Sequence, residues 1–192
     1  MTERPIEGTT LAVHVWPHGT AAPHAVSALE LDFGGPVGDR HHGVTMSSDV
    51  RQRWLYEPGT QIRNNRQVSI VDAGELAQVA AHLGLPELAP GTVADNVCTS
   101  GIDRLSQLPP MTRLVFEGEG DSEDTDGAVV VVLGANHPCT IAGGLVHDRY
   151  GTEPEKFPKA AMHLRGVTGW VERPGVIRPG GWVRVVGVRR SG

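Results

Sequence analysis

The stretch Val129-Val130-Val131-Val132-Leu133-Gly134-Ala135-Asn136-His137-Pro138-Cys139 decides the fold of this chain. Its first five residues are apolar and favour β-structure, which predicts a strand that is buried on both faces. Gly134 and Pro138 are expected to end the strand, because both residues weaken strand pairing. Cys139 should therefore lie at a rigid strand exit, where a thiol can act as a nucleophile or as a soft metal ligand. The alternative is a small buried hydrophobic side chain.

The composition indicates one globular domain that spans residues 1–192. With 25 glycines and 14 prolines, the chain is expected to make many turns, which favours a β-rich fold. Six of the 22 acidic residues lie in an acidic run at 117–126, which leaves 16 against 17 Lys and Arg elsewhere. Such a balance gives no global field for nucleic acid or an anionic membrane, so neither is predicted as a partner.

The cysteine count and the N-terminus predict a reduced, cytoplasmic protein. Cys98 and Cys139 are the two cysteines, too few for a disulfide framework and not spaced as C-x-x-C. The first residues lack the charged and apolar blocks of a signal peptide. The longest apolar run is too short to span a bilayer.

One helix is predicted after a short strand at 66–71. Asp72 has the residue type of an N-cap, and Glu75 follows at the spacing of a capping box. Apolar residues then recur at helical spacing to Leu83, and Gly84 is suited to end the helix. This helix is expected to pack on the sheet, since it carries no catalytic pattern.

The remaining pattern is one of short strands separated by Gly and Pro turns. Alternating apolar residues predict a hairpin that joins residues 11–16 to 26–33. Further strands are predicted at 111–117, 167–171, 176–177 and 182–188, and the acidic run is expected to be a solvated hairpin connection. The fold class predicted is mainly β with a few helices (α+β), arranged as a β-barrel.

A glycine-rich loop at residues 34–43 has the composition of a ligand loop. Arg40 offers a planar fork for phosphate or another oxyanion, and flanking glycines allow close backbone approach. His41 and His42 are adjacent, so on an extended backbone only one of them should face a shared site. The alternative is a polar surface turn. Residues 47–65 form a polar segment that is either a flap over a site or a long irregular excursion.

Six short motifs follow one another along the chain. They are Gly38-Asp39-Arg40-His41, Arg66-Gln67-Val68-Ser69, Asn96-Val97 ahead of Gly101-Ile102-Asp103, His137-Pro138-Cys139, Arg165-Gly166-Val167 and Gly175-Val176-Ile177-Arg178-Pro179-Gly180. Their order resembles that of the MOSC domain family, named for the C-terminal domain of molybdenum cofactor sulfurases. The resemblance spans about residues 11–188 and implies a MOSC-type β-barrel with a site around Cys139. Ala94-Asp95-Asn96 stands where the family usually has Gly-Glu-Asn, and the insert at 47–65 enlarges the step before Arg66.

The resemblance implies a protein that binds the molybdenum cofactor, a molybdopterin, and reduces N-hydroxylated small molecules. Cys139 would be the catalytic residue and the molybdenum ligand, since molybdenum prefers soft sulfur. An external electron-transfer protein would supply electrons, because the sequence has no flavin, haem or iron–sulfur signature. His137 would share a face with Cys139 on an extended strand, or else be a wall residue. The implied cofactor-binding residues are Gly38, Asp39, Arg40, His41, Arg66, Asn96, His137 and Arg165.

Two other functions are consistent with the same residues. In the first, Cys139 carries a persulfide received from a cysteine desulfurase and passes sulfur on for cofactor or metal–sulfur cluster maturation. No cysteine desulfurase domain is expected ahead of these motifs, and therefore no pyridoxal phosphate is expected on this chain. In the second, Cys139 works with His41 or His137 in a hydrolase or zinc site, although no third orienting group is evident. The sequence leaves a homodimer open.

Overall fold

The structure is a computed structural model that describes residues 6–117 and 127–187. Most of the acidic run, residues 118–126, lies outside the described residues, as does Val188 at the end of the last predicted strand. The elements in chain order are β1 (Ile6–Val15), β2 (His24–Val26), β3 (Leu29–Asp32), β4 (Gly35–Pro36), β5 (Thr45–Ser47), β6 (Gln61–Arg63), β7 (Val68–Asp72), α1 (Ala73–Leu83), β8 (Val97–Ser100), a 3₁₀ helix (Leu105–Gln107), β9 (Arg113–Glu117), β10 (Val129–Ala135), α2 (Thr140–Tyr150), α3 (Lys156–Ala160), β11 (Val167–Arg173), β12 (Gly175–Ile177) and β13 (Trp182–Val186).

Seven strands close into a barrel, which confirms the predicted mainly β fold. Their order is β13-β9-β10-β11-β7-β8-β1, and β1 returns to pair with β13. Neighbouring strands are antiparallel except for β7 and β8, which run parallel. Closure removes free sheet edges from the barrel. The predicted hairpin is correct only for β2, which pairs with β1, because β3 instead joins β4 and β12 in a second sheet.

The strand β10 is the buried element that the opening stretch predicts. Val130, Val131 and Val132 are each at most 1% exposed, and β10 pairs with β9 and β11. Gly134 does not end the strand as expected. It lies at a register shift against β11 with φ +153°, and pairing continues to Ala135. A glycine at an irregularity lets the strand bend without losing its partner.

The core has two parts, one inside the barrel and one between the barrel and the helices. The inner part includes Leu114 and Phe116 of β9, which point inward as predicted. The outer part packs α1, α2 and α3 on β7 and β8 and contains Cys98. Burial raises the pKa of the Cys98 thiol well above its ordinary value, so this cysteine is an inert core residue. Both cysteines are free thiols.

The helix α1 has the predicted ends but not the predicted capping box. Asp72 Oδ1 accepts a hydrogen bond from Gly74 N at 2.9 Å, and Gly84 ends the helix with φ +70°. Glu75 is buried and accepts hydrogen bonds from the backbone N and Oγ of Ser106 at 2.9 and 2.6 Å. Burial raises the pKa of Glu75. The prediction of a capping box is therefore wrong, because Glu75 hydrogen-bonds to Ser106 of the 3₁₀ helix instead of to the N-terminus of α1.

The helix α2 has no counterpart in the sequence analysis. It begins directly after Cys139, and its pattern of small residues and glycines gives no apolar stripe. A Cβ at Gly143 would overlap the carbonyl oxygen of Pro154, so the glycine lets the helix pack closely on the segment before α3. Among the residues described, no helix is both long enough and apolar enough to cross a membrane.

Candidate functional site

A cavity of about 460 Å³ opens at one end of the barrel, which is within the usual size range of small-molecule sites. Its wall is built from the ends of β1 and β7, the ligand loop, the β5–β6 hairpin, and the loops that precede β8, α2 and β11. Six of the predicted site residues line it: Arg40, His41, Arg66, Asn96, Cys139 and Arg165.

Cys139 is placed four residues beyond β10, as the N-cap residue of α2. Its backbone is extended, with φ −140° and ψ 165°, and its carbonyl accepts from Gly143 N at 3.1 Å. The connecting loop is fixed by Asn136 N, which donates to Gly166 O at 2.9 Å. The thiol is half-buried and faces the cavity. The positive end of the α2 dipole also lies here, which favours a negatively charged group at the sulfur.

Arg165 lies next to Cys139 and links loops of the cavity wall through hydrogen bonds. The residue is 7% exposed, and its Nη1 donates to Asn136 Oδ1 at 3.2 Å and to His137 O at 2.8 Å. Its Nη2 donates to Val93 O at 3.0 Å. Nη1 also lies 3.9 Å from Cys139 Sγ. Burial lowers the pKa of Arg165, and Cys139 opposes that shift. The guanidinium therefore holds two loops and places a positive charge beside the sulfur.

Arg66 lines the same cavity with fewer contacts. Its Nη2 lies 3.5 Å from Asn136 Oδ1, at the limit of a hydrogen bond. Burial lowers the pKa of Arg66, and the positive charge of Arg51 lowers it further. Asn136 is itself fixed by Ser69 Oγ, which accepts from its Nδ2 at 3.0 Å. Most of the donor capacity of Arg66 is thus left for a ligand.

Asp39 is buried behind the cavity and holds the ligand loop. Its Oδ2 accepts from Trp16 N at 2.8 Å and from Asn96 Nδ2 at 2.9 Å. Its Oδ1 accepts from the backbone N and the Nδ1 of His41 at 2.9 and 3.0 Å. Asn96 Oδ1 in turn accepts from Ser69 N at 3.0 Å. Asp39 therefore positions Asn96 and His41 rather than lining the cavity itself.

Arg40, His41 and His42 come next in the sequence after Asp39. The Arg40 guanidinium stacks 3.8 Å from the centroid of Trp16, and its Nη2 donates to Pro17 O and Thr20 O at 3.3 and 3.1 Å. His41 and His42 both line the cavity. The expectation that only one would face a shared site is wrong, because the backbone turns here, with His42 N donating to Asp39 O at 3.1 Å.

Three predicted residues lie outside the cavity lining, namely Asp39, described above, Gly38 and His137. Gly38 is exposed in the turn before Asp39, with φ +83°. His137 is exposed and does not line the cavity, so the structure does not bring its ring to Cys139; its carbonyl serves Arg165 instead. The common face expected for His137 and Cys139 requires an extended strand, and β10 ends at Ala135.

Several lining residues had not been predicted. Asn136 is the most informative, because it contacts both Arg165 and Arg66. Its signal in the sequence is its place, the first polar residue after a buried strand. The insert contributes Asp49 and Arg51, whose only signal in the sequence was the length and polarity of the segment.

The charge of Asp39 predicts an acid-sensitive ligand loop. Burial disfavours its carboxylate, but hydrogen bonds from His41 and Trp16 outweigh this and lower the pKa of Asp39. The stabilisation is complete above the unfolded-state pKa of about 3.9 and is lost as the pH falls through the lower folded-state pKa. Between pH 7 and pH 3, urea unfolding should therefore show a steeper loss of stability in the wild type than in Asp39→Asn, which should itself lose about 1–3 kcal/mol at pH 7. The exposed Asp103→Asn is the control, and equal pH slopes for Asp39→Asn and the wild type would contradict this role.

The cavity offers little protein coordination to a free metal ion. Over 6–117 and 127–187, no group of three or more His, Cys, Asp or Glu side chains is arranged to hold a metal ion. Cys139 is the one thiol that lines the cavity within these ranges. A metal bound there through Cys139 would have to bring most of its ligands with it.

Comparisons with known proteins agree with this architecture. The family model described as the MOSC domain matches residues 39–184. The Bacillus subtilis protein named "Putative metal-sulfur cluster biosynthesis proteins YuaD" is 32% identical over 166 residues, which cover 85% of this chain and 82% of that protein. The crystal structure of Bacillus subtilis YuaD superposes with a TM-score of 0.87 at 27% identity, covering 97% and 99% of the two chains. YiiM from Geobacillus stearothermophilus shares the fold, with a TM-score of 0.55 at 14% identity over 95% of this chain and 75% of YiiM. The chain belongs to the MOSC domain family.

Proposed function

We propose that the cavity binds the molybdenum cofactor and that Cys139 is the protein's ligand to the molybdenum. The observation that carries the proposal is a single thiol in a cavity rich in guanidinium groups. Molybdenum prefers soft sulfur ligands, and the phosphate and oxo groups of a molybdopterin need strong donors. The cofactor also brings its own dithiolene sulfurs, which suits a cavity that offers few protein ligands.

Unsatisfied donors in the cavity wall fit such a ligand. Arg40 Nε, Arg165 Nε and Thr168 Oγ1 are buried without a hydrogen-bond partner, and all three residues line the cavity. Leaving a donor buried and unpaired costs about 1–3 kcal/mol, more for a charged group. A ligand rich in acceptor oxygens offsets that cost. The donor set is therefore suited to an anionic, oxygen-rich molecule.

Each residue has a defined task in this proposal. Arg66, Arg40, His41 and Asn96 bind the cofactor, and Arg165 keeps the Cys139 loop in place. Asp39 acts indirectly, because its hydrogen bonds orient Asn96 and His41. When bound, the cofactor supplies the redox chemistry that reduces the N–O bond of an N-hydroxylated compound. An external electron-transfer protein would deliver the electrons.

A sulfur carrier is the second candidate, and the name of the Bacillus subtilis relative, which refers to metal–sulfur cluster biosynthesis, favours it. Cys139 would then hold a persulfide whose outer sulfur comes from a cysteine desulfurase. The Arg165 guanidinium at 3.9 Å would stabilise the negative charge of that persulfide. Exposure to the cavity gives a partner access to the sulfur.

Cofactor content tests the first proposal. The protein is produced in a host that makes the molybdenum cofactor, and molybdenum and pterin are measured per chain. We expect near-stoichiometric content in the wild type and at least a tenfold loss in Cys139→Ser, because serine replaces the soft ligand by a hard one. Cys98→Ala is the matched control and should keep the cofactor, since Cys98 is buried in the core. Full content in Cys139→Ser would show that the thiol is not needed.

A second measurement separates the two candidates. Metal-free protein is incubated with a cysteine desulfurase and cysteine, and its intact mass is recorded with and without a reductant. The sulfur carrier predicts one reducible sulfur on Cys139 in the wild type and Cys98→Ala, and none in Cys139→Ser. Stoichiometric molybdenum without such transfer supports the cofactor protein instead.

A further inference from the structure

The insert between β5 and β6 brings an ion pair into the cavity wall. Asp49 and Arg51 both line the cavity, and Arg51 Nη1 lies 2.5 Å from Asp49 Oδ2. Local contacts order the turn: Asp49 N donates to Gln52 Oε1 at 3.0 Å, and Trp54 Nε1 donates to Arg51 O at 3.2 Å. The two side chains are 51% and 35% exposed, so both can be reached from solvent.

The four cavity arginines differ in how far their donors are already used. Arg165 is engaged by Asn136, His137 and Val93, and Arg40 is held by Trp16 and two carbonyls. Arg66 has one long side-chain contact, and the side chain of Arg51 donates to Asp49 alone among the described residues. Free donor capacity is therefore concentrated on Arg51 and Arg66.

Arg51 and Arg66 both line the cavity. The positive charge of Arg51 lowers the pKa of Arg66, after burial as the larger cause. Two like charges at one cavity repel each other, and an anion bound between them attracts both and outweighs that repulsion. A doubly charged oxyanion gains more from this arrangement than a singly charged one, because it attracts both guanidiniums.

We propose that Asp49 and Arg51 form an anion gate, in which Arg51 exchanges the Asp49 carboxylate for a phosphate-type dianion that it holds together with Arg66. The gate adds a ligand-selecting element to the proposed function. It rests on that function, because the proposed function identifies this cavity as the ligand site. Asp49 acts as a built-in competitor that occupies Arg51 until the ligand arrives. The gate thus selects for a ligand that carries a phosphate group.

The competitor role makes opposite predictions for the two members of the pair. Removing the carboxylate charge in Asp49→Asn frees Arg51 and should tighten anion binding about three- to tenfold. Removing the guanidinium in Arg51→Gln should weaken anion binding about tenfold or more, as expected for the loss of a charge-assisted hydrogen bond. Arg53→Gln removes the same charge from the same turn at a residue that does not line the cavity, and should change the affinity less than twofold.

The test is calorimetric titration of cofactor-free, full-length protein with inorganic phosphate at constant ionic strength, because salt screens surface charges. Acetate is the singly charged comparison and should bind more weakly. The titration uses protein without cofactor, so a dependence of phosphate binding on Arg51 stands or fails independently of the molybdenum assignment, and the two failures are distinguishable. Equal effects of Arg51→Gln and Arg53→Gln, or no gain in Asp49→Asn, would overturn the gate.

A second arm identifies the source of the phosphate group. Phosphate titration is repeated on protein purified with its cofactor bound. Loss of the phosphate site in loaded protein supports the gate with the cofactor's own phosphate as its ligand. Retention of the site, again dependent on Arg51, supports the gate with a separate phosphorylated molecule. Binding in loaded protein that no longer depends on Arg51 would overturn the gate for the loaded state.

Discussion

Gly166→Ala is expected to leave almost no folded protein. Gly166 has φ +70°, and a Cβ at this position would overlap the carbonyl oxygen of Ile70. That carbonyl belongs to β7, which pairs with β11 one residue further on, between Val167 and Ile70. The strands cannot separate without opening the barrel. We expect a loss of more than about 4 kcal/mol, which is a large share of the stability of a domain.

Gly84→Ala is a matched control that measures the cost of placing alanine in a left-handed backbone conformation. Gly84 has the same φ of +70°, but a Cβ there would meet nothing within 4 Å. This variant should lose only about 1–2 kcal/mol, the cost of a left-handed backbone for alanine. Urea unfolding and soluble yield measure both variants. Similar losses for the two would mean that the close approach of Gly166 to β7 has no energetic weight.

Arg165→Ala is expected to have the second-largest effect, on both stability and the site. The buried guanidinium donates to Asn136 Oδ1, His137 O and Val93 O, and its removal leaves these acceptors without their donor. We expect a loss of about 3–5 kcal/mol, because each buried acceptor left unpaired costs about 1–3 kcal/mol. Cofactor content should fall with it, since Arg165 holds the Cys139 loop.

Arg165→Lys tests whether geometry or charge matters at this position. A lysine ammonium keeps the charge but cannot span the carbonyls of Val93 and His137 as a planar fork does. It should therefore recover only part of the stability. The exposed Arg104→Ala should change the free energy of unfolding by less than about 0.5 kcal/mol. Full recovery of stability and cofactor content in Arg165→Lys would show that only a positive charge is required.

Local signals in the sequence were sufficient for most of the barrel strands and for α1. The apolar run of β10 is buried as its composition implies, and Asp72 and Gly84 mark the ends of α1 because capping depends on neighbouring residues alone. The helix α2 was not predicted, because its sequence pattern depends on contacts with a distant segment rather than on neighbouring residues. Its small residues are selected by close packing on the segment before α3, which the chain pattern does not reveal.

In the candidate site, too, some residues could be identified from the sequence and others depend on contacts that only the fold creates. The order of the motifs identified Cys139, Arg66 and Arg165, which the fold does bring to one cavity. His137 does not share a face with Cys139, because the extended strand that this would require ends at Ala135. Glu75 was misassigned because its partner Ser106 is distant in sequence. Arg51 could not be singled out among the polar residues of the insert, since only the folded hairpin brings it to the cavity that Arg66 also lines.

Molybdenum K-edge X-ray absorption on protein purified with its cofactor tests most directly whether the Cys139 sulfur binds the metal. The predicted result is one sulfur neighbour more than the dithiolene of the cofactor supplies, unchanged in Cys98→Ala. A metal surrounded only by the dithiolene sulfurs and light atoms in the wild-type protein would contradict ligation by Cys139.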